Sequence, residues 1–244
     1  MSLLLQIKRW MKKLFPYLNK GWYYDKLTEQ IIRKTVQLNS QGIDIGSHHG
    51  EVLSSLLKYA PEGRHYAFEP LPELYELLYK RYGQKAAIYP YALSNENGFS
   101  DFHYIRNAPD YSGLRKRKYD IMHPDIHILW VEMRKLDDVI PTDSTIHFIK
   151  IDVEGGEFDV IKGSENLILN SRPIILFEFG MGASDYYHVD PSDFFDYCTQ
   201  HLQMHLYTLK AFLDNNLPLS RADFLQMYES NKEYYFVMGP TKSG

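Results

Sequence analysis

Carboxylates collect at a few points of this sequence where an apolar strand must end. Asp152, Glu154 and Glu157 fall within residues 147–163 (HFIKIDVEGGEFDVIKG), and Glu178 lies near the close of the apolar run 174–179. Glu157 is explained by ordinary helix N-terminal charge, worth ~0.3–1 kcal/mol. Asp152 and Glu178 are not, because each follows a strand apolar enough to be buried, where a lone carboxylate is costly. A carboxylate or histidine so placed can accept a proton from a reacting hydroxyl. The candidate catalytic residues are therefore Asp152, Glu154, Glu178 and His188, with Asp152 first because its strand is expected beside the first one. Asp152, Glu154 and Glu178 also offer the oxygen ligands a divalent cation accepts, but no metal site is assigned. His123, Asp125 and His127 read as surface loop, since Pro124 interrupts them and no partner ligands adjoin.

The second chemistry-bearing stretch is residues 42–70, GIDIGSHHGEVLSSLLKYAPEGRHYAFEP. Its glycines read G-x-x-x-G, Gly46 to Gly50, with Asp44 ahead, Glu51 behind, and no Lys or Arg between Gln41 and Leu57. A dinucleotide turn reads G-x-G-x-x-G and closes on a pyrophosphate, which two flanking carboxylates would repel. A ligand with a sulfonium, an ammonium and a single carboxylate suits this surface better, and S-adenosylmethionine (SAM) is such a ligand. Glu69, ending the next strand, is placed to accept hydrogen bonds from two ribose hydroxyls, as acidic strand ends do in nucleotide folds. On the turn alone, a plain tight turn in some other α/β protein stays open.

Alternating strands and helices must position these groups. The patterning gives strands at 42–45, 65–68, 86–93, 99–105, 129–133, 147–153 and 174–179, with helices at 52–59 and 71–81 and from Leu136 and Glu157. A helix over 191–201, capped by Asp190 or Ser192, and an antiparallel edge pair at 205–209 and 234–238 complete the sheet. Strand ends in a doubly wound sheet share one edge, so Asp152, Glu154 and Glu178 should face the crevice of Gly46 and Glu69. Tyr186, Tyr187 and His188 follow the strand of Glu178 on that edge, either touching ligand or packing as an aromatic loop. The long polar segment 106–128 carries a basic run, Arg115 to Lys118. It is expected to cover the acceptor side of the cleft and to favour an anionic acceptor.

A chain of 244 residues suits one large α/β domain, here 39–244, behind an N-terminal helical extension, 1–38. At 44% hydrophobic and 15% aromatic it can bury a sizeable core, and a net charge of -4 gives no argument for nucleic-acid binding. The lone Cys198 excludes an intramolecular disulfide and points to a reducing, cytoplasmic setting. In residues 3–15, Leu4, Ile7, Met11 and Leu14 recur at helical spacing opposite Lys8, Arg9, Lys12 and Lys13. Such a helix either packs on the domain or lies on a membrane surface through residues 1–18. Residues 24–38 read as a second helix. Oligomeric state is not legible.

The run I-K-I-D-V-E-G-G-E-F-D-V-I-K-G (149–163), followed by R-P-I-I-L-F-E (172–178), resembles the FkbM-type SAM-dependent methyltransferases. D-I-G-S-H-H-G (44–50), F-E-P (68–70) and A-L-S-N-E-N-G (92–98) agree in order, as does the acidic step Leu136-Asp137-Asp138. His48-His49 departs from the small residues or Asn common in the family's first turn. The resemblance implies a Rossmann-like class I methyltransferase fold, a seven-stranded, mostly parallel α/β sheet with helices on both faces. It implies SAM as cofactor, held by Asp44, Gly46, Ser47, Gly50, Glu69, Pro70, Ala92, Leu93 and Asp152. It further implies O-methylation of a small-molecule or glycan hydroxyl, on a sugar, polyketide or other secondary alcohol. The alternatives are a non-catalytic SAM-binding protein and a nucleotide-dependent oxidoreductase on the same fold.

Overall fold

A computed structural model of the chain describes residues 20–119 and 121–240. It begins with helix α1 (Lys20–Thr35), then β1 (Gln41–Ile45), α2 (Glu51–Tyr59), β2 (His65–Phe68), α3 (Pro72–Tyr82) and β3 (Ala87–Tyr89). The remaining strands of the main sheet are β7 (Ile146–Ile151), β8 (Ile174–Glu178), β9 (His205–Thr208) and β10 (Tyr235–Gly239). The seven strands lie in the order β3-β2-β1-β7-β8-β10-β9. Pairing is parallel from β3 to β8, and β10 runs antiparallel to both β8 and β9. The chain order reverses at β1, between β2 and β7, which is where an open α/β sheet leaves a crevice at its carboxyl edge.

Strand alternation decides what each face carries. Ile43 and Ile45, Ile149 and Ile151, Ile175 and Phe177, and Phe236 and Met238 enter the larger core cluster. Helices α4 (Glu157–Lys162), α5 (Glu165–Ser171), α6 (Pro191–Asp196) and α8 (Arg221–Ser230) contribute Val160, Ile168, Phe194 and Phe224 to it. The other face puts Phe148, Leu176 and Val237 against Tyr24, Leu27, Ile31 and Ile32 of α1, with Phe212 of α7 (Leu209–Leu213). Helix α1 falls inside the segment expected as an extension, yet it shares a core with the sheet. Tyr24 Oη donates to Glu233 at 2.6 Å and Lys34 Nζ to the Leu213 carbonyl at 2.7 Å, fixing both ends of α1. The amphipathic pattern at 3–15 lies outside the described residues. No helix among those described is long and apolar enough to cross a membrane.

A second sheet, order β4-β6-β5, sits beside the first: β4 (Ala92–Leu93), β5 (Gly98–Ile105) and β6 (Ile126–Arg134). The single strand expected over 86–93 is two. Pro90 has no N–H to give a ladder and ends the pairing, so Ala87–Tyr89 joins the main sheet while Ala92 and Leu93 pair with Met133 and Arg134. Asp190 caps α6, its side chain accepting from Ser192 N. His127 and Asp125 form an exposed contact at 3.1 Å.

Candidate active site

The carboxyl ends of β1, β2, β7 and β8 open into one cleft of about 1180 Å³. Its walls hold the glycine turn, Glu69 and Pro70, Tyr91 to Ser94, the loop at 109–118, the corner at 152–156, and Tyr234 and Tyr235. Carboxylates outnumber Lys and Arg along these walls.

The turn after β1 is fixed by close approach. Gly46 has φ +72°, and a Cβ there would stand 1.8 Å from the Asp152 carbonyl oxygen, so only glycine lets β1 and β7 end side by side. The N–H groups of Gly46 and Ser47 donate to the Phe68 carbonyl at 3.0 and 3.1 Å, Gly50 N–H donates to Ser47 O at 2.7 Å, and His48 N–H donates to Glu69 Oε2 at 2.8 Å. A pyrophosphate turn works by presenting such N–H groups to the ligand; here four of them are already bonded. That geometry disfavours a dinucleotide and leaves a site framed by acids. Asp44 Oδ2 accepts from Leu53 N at 3.0 Å, and burial pushes this carboxyl up to about 7. Glu69 is buried and accepts from His48 N and from Leu71 N, the latter at 3.0 Å. Each of its oxygens keeps a second lone pair for a ligand hydroxyl. Burial raises Glu69 above the usual carboxylate range. Ser47, Gly46, Pro70, Ala92 and Leu93 line this end of the cleft. The acid framing, the glycine approach and the lone pairs of Glu69 fit a cationic nucleoside such as SAM.

A polar ridge crosses the sheet beside this turn. In register, Asp44 opposes Lys150, Lys150 opposes Leu176, and Glu178 opposes Tyr235, so Asp44, Lys150, Glu178 and Tyr235 share the face that α1 covers. Lys150 is buried, and its Nζ donates to Asp152 Oδ2 at 2.8 Å. Tyr235 Oη donates to the same oxygen at 2.6 Å, with Lys150 Nζ 5.0 Å from the Tyr235 ring centroid. Asp152 N donates to the Ile45 carbonyl at 3.0 Å, tying the corner to β1. Burial, then repulsion from Asp152 and Glu157, holds Glu178 above the usual carboxylate range.

Glu154 adopts φ +61° at the corner and pairs with Arg117 of the long loop. Burial, then the charges of Glu178 and Asp152, raises its carboxyl; Arg117 opposes that rise. Glu157 Oε1 accepts from Val153 N at 3.0 Å and Gly155 N at 3.1 Å, so it holds the turn together, and burial pushes it up to about 7. The loop reaches the glycine turn as well, through His48 Nε2 and Asp110 Oδ1 at 3.0 Å. Their hydrogen bond raises His48 and lowers Asp110.

The structure thus brings Asp44, Gly46, Ser47, Glu69, Pro70, Ala92, Leu93, Asp152, Glu154 and Glu178 to one cleft. Gly50 sits at the start of α2 with φ +81°, where a Cβ would meet Leu78 at 2.7 Å; its part is to shape the turn. His188 goes elsewhere: it ends a 3-10 turn at φ +55°, is exposed, and is not among the lining residues, while its neighbour Tyr187 is. Of the basic run, Arg117 and Lys118 line the cleft; Arg117 is engaged by Glu154, and Arg115 lies over Tyr187 at 5.0 Å. Sequence reasoning missed Lys150, Tyr235, Asp110 and Asp25 of α1. A lone Lys in the apolar run FIKI was a signal, because a buried ammonium needs a partner; the other three depend on strand order and loop path.

A family model described as the methyltransferase FkbM domain matches residues 44–207. A curated relative, the 2-O-methyltransferase NoeI of Sinorhizobium fredii (strain NBRC 101917 / NGR234), is 24% identical over 190 residues, 70% of this chain and 76% of that protein. Among solved structures, a methyltransferase FkbM from Methylobacillus flagellatus KT matches with TM-score 0.46 and 15% identity; the match covers 83% of this chain but 44% of that one. The O-methyltransferase TomG from Streptomyces achromogenes, solved with SAM, matches with TM-score 0.42 and 11% identity over 99% of this chain and 91% of that one. The family match takes in well over half of the sequence and every acid-bearing strand end described above, and on that ground the chain belongs to the FkbM methyltransferase family, as a SAM-dependent methyltransferase.

Proposed function

We propose that the protein transfers the methyl group of SAM to a hydroxyl oxygen of a sugar, glycan or related secondary metabolite. The observation that carries this reading is the acid-framed crevice at the carboxyl ends of β1, β2, β7 and β8, where a turn with committed N–H groups meets buried carboxyls of raised proton affinity. The name of the curated relative, a 2-O-methyltransferase, supports oxygen as the acceptor atom. When bound, SAM supplies a methyl group made electrophilic by its sulfonium. Gly46, Ser47, Asp44, Glu69 and the strand Ala92–Leu93 are the residues that would hold it.

The protein's own part is alignment, exclusion of water and removal of a proton. Holding reactants in line can supply about 7–11 kcal/mol of a barrier. A carboxyl poised near the working pH is the better general base. Glu178 has that setting, and no hydrogen bond to its carboxylate is seen among the described residues. Asp152 has its Oδ2 taken by Lys150 and Tyr235, leaving Oδ1 to orient the hydroxyl. We therefore assign proton removal to Glu178 and orientation to Asp152. Glu154, paired with Arg117, fastens the loop over the corner. The test is transfer from methyl-labelled SAM to a glycan extract, with label expected on an oxygen of a carbohydrate product. Labelled SAM that binds without transfer to any extract would favour the non-catalytic reading.

A cytoplasmic setting, with peripheral membrane contact through residues 1–18, extends this reading. Cosedimentation with anionic vesicles that weakens with salt, and that is lost on deleting residues 1–18, is the expected result.

A further inference from the structure

Lys150 is a cation that the packing of its strand does not require. Its neighbours on the same face are apolar: Phe148, two residues before it, and Leu176, opposite it on β8, are both fully buried. An aliphatic side chain would fill that place, and a buried ion pair adds little stability over well-packed apolar groups. The lysine side chain is nevertheless only 7% exposed, and it pairs with Asp152 at 2.8 Å. A role in the chemistry of the cleft, which both residues line, accounts for it better than packing does.

The pairing is selective. Lys150 Nζ and Tyr235 Oη, from β7 and β10, converge on Asp152 Oδ2, and the Tyr235 ring centroid lies 5.0 Å from the ammonium. Oδ1 takes no hydrogen bond among the described residues, so the carboxylate is held by one oxygen and open at the other. The same positive charge acts on Asp44 of β1, Glu178 of β8 and Asp25 of α1. Its hydrogen bond, however, goes to Asp152. Glu178 also faces Glu154 and Glu157 from the corner, Arg117 from the loop, and Tyr234 and Tyr235 from β10. Arg117 is bonded to Glu154. Lys150, on the strand next to Glu178, is therefore the cation that offsets the repulsion between Asp152 and Glu178.

We propose that Lys150 is a positioning residue for methyl transfer: with Tyr235 it holds Asp152 by Oδ2, leaving Oδ1 for the acceptor hydroxyl, and its charge keeps Asp152 and Glu178 able to ionise side by side. The hydroxyl proton passes to Glu178 as the oxygen takes the methyl group. Lys150 and Tyr235 act through these two carboxylates rather than on the acceptor. Without the cation, a proton on Glu178 would be held to higher pH, because a nearby like charge disfavours the ionised form. A rate that needs Glu178 ionised would then lose its acid side first. This inference rests on the methyltransferase reading and on the assignment of proton removal to Glu178.

The experiment follows label transfer from saturating methyl-labelled SAM to a glycan extract against pH, per folded molecule, in the full chain and three variants. Lys150→Gln keeps an N–H for Asp152 but no charge. Its acid limb should move up by about one pH unit, a roughly tenfold loss of rate on the native limb that recovers at alkaline pH. Lys150→Arg keeps the charge, and its limb should stay near the native one. Tyr235→Phe keeps the charge but removes one donor, and it should lower the rate at every pH. Affinity for S-adenosylhomocysteine (SAH) by calorimetry should change little in all three. A lysine that served the fold alone would lower the melting temperature and leave the limb in place. A limb unmoved in Lys150→Gln, or moved as far in Lys150→Arg, would overturn this inference alone. Should Lys150→Gln fail to fold, Tyr235→Phe decides, and a native rate in that variant would overturn the inference. No transfer by native protein that binds SAH would overturn the methyltransferase reading and this inference with it.

Discussion

Asp152 and Glu178 end neighbouring strands, yet their surroundings separate their roles. Two donors fix Asp152, whereas burial, then the like charges around it, raises the carboxyl of Glu178. Glu178→Gln should lower kcat by roughly 10²–10⁴-fold with SAM affinity little changed. Asp152→Asn should instead raise acceptor KM and lower the melting temperature, because Lys150 keeps its charge in a buried site without a full partner. Steady-state kinetics and thermal melts on the same preparations check both; a near-normal kcat for Glu178→Gln beside an inactive Asp152→Asn would exchange the assignments. Glu69→Ala should weaken SAM by about 1.5–3 kcal/mol in titration calorimetry, and unchanged affinity would remove Glu69 from the ribose. The acids and glycines at strand ends were legible because an apolar run followed by a carboxylate or glycine leaves little else to infer. Lys150 and Tyr235 were not assigned, since their meeting at Asp152 depends on the β7-β8-β10 register. His188 lies outside the cleft because it follows the 3-10 turn as its exposed left-handed cap, whereas Tyr187 before it is buried.

At the scale of elements, the loop between β5 and β6 is tied down at two points, Asp110 on His48 and Arg117 on Glu154. The first tie depends on pH. His48 is raised by Asp110, so its contribution is complete below the ordinary histidine range and is lost as pH rises through the raised value. Asp110 is lowered, so its contribution is present above the ordinary carboxylate range and lost as pH falls through the lowered value. Between those limits, hydrogen exchange across residues 106–119 should be slowest, and it should quicken on the alkaline side. His48→Asn should flatten that dependence, with a modest effect overall because Asp110 is largely exposed. The main-sheet strands and the helices at Glu51–Tyr59, Pro72–Tyr82 and Glu157–Lys162 follow periodicity closely enough to be read from sequence, whereas the short helices Glu165–Ser171, Leu209–Leu213 and Arg221–Ser230 were not expected. The second sheet was not anticipated, because alternation at 99–105 and 129–133 says "strand" without saying which partner, and Pro90 divides a run whose apolar pattern is continuous.

For the molecule as a whole, the sheet gathers acids into a cleft that a cation would complete. Asp44 and Glu157 rise to about 7 in the folded chain. Their folded values exceed their unfolded ones, so the stability they contribute is full below the ordinary carboxylate range and is lost as pH rises through about 7. The ligand-free protein should therefore melt lower at pH 8 than at pH 5.5, and scanning calorimetry reads the difference. SAM, which carries the sulfonium charge, should bind more tightly as Asp44 ionises over the same window. SAH, without that charge, should show a weaker dependence.

The most direct measurement of the central claim is methyl transfer itself: purified protein, methyl-labelled SAM and a glycan extract, with the labelled product located by NMR. The expected result is label in an oxygen-bound methyl group on a carbohydrate, formed by the native protein and sharply reduced with Glu178→Gln. Label on nitrogen or carbon, or a protein stabilised by NAD but not by SAM, would contradict it.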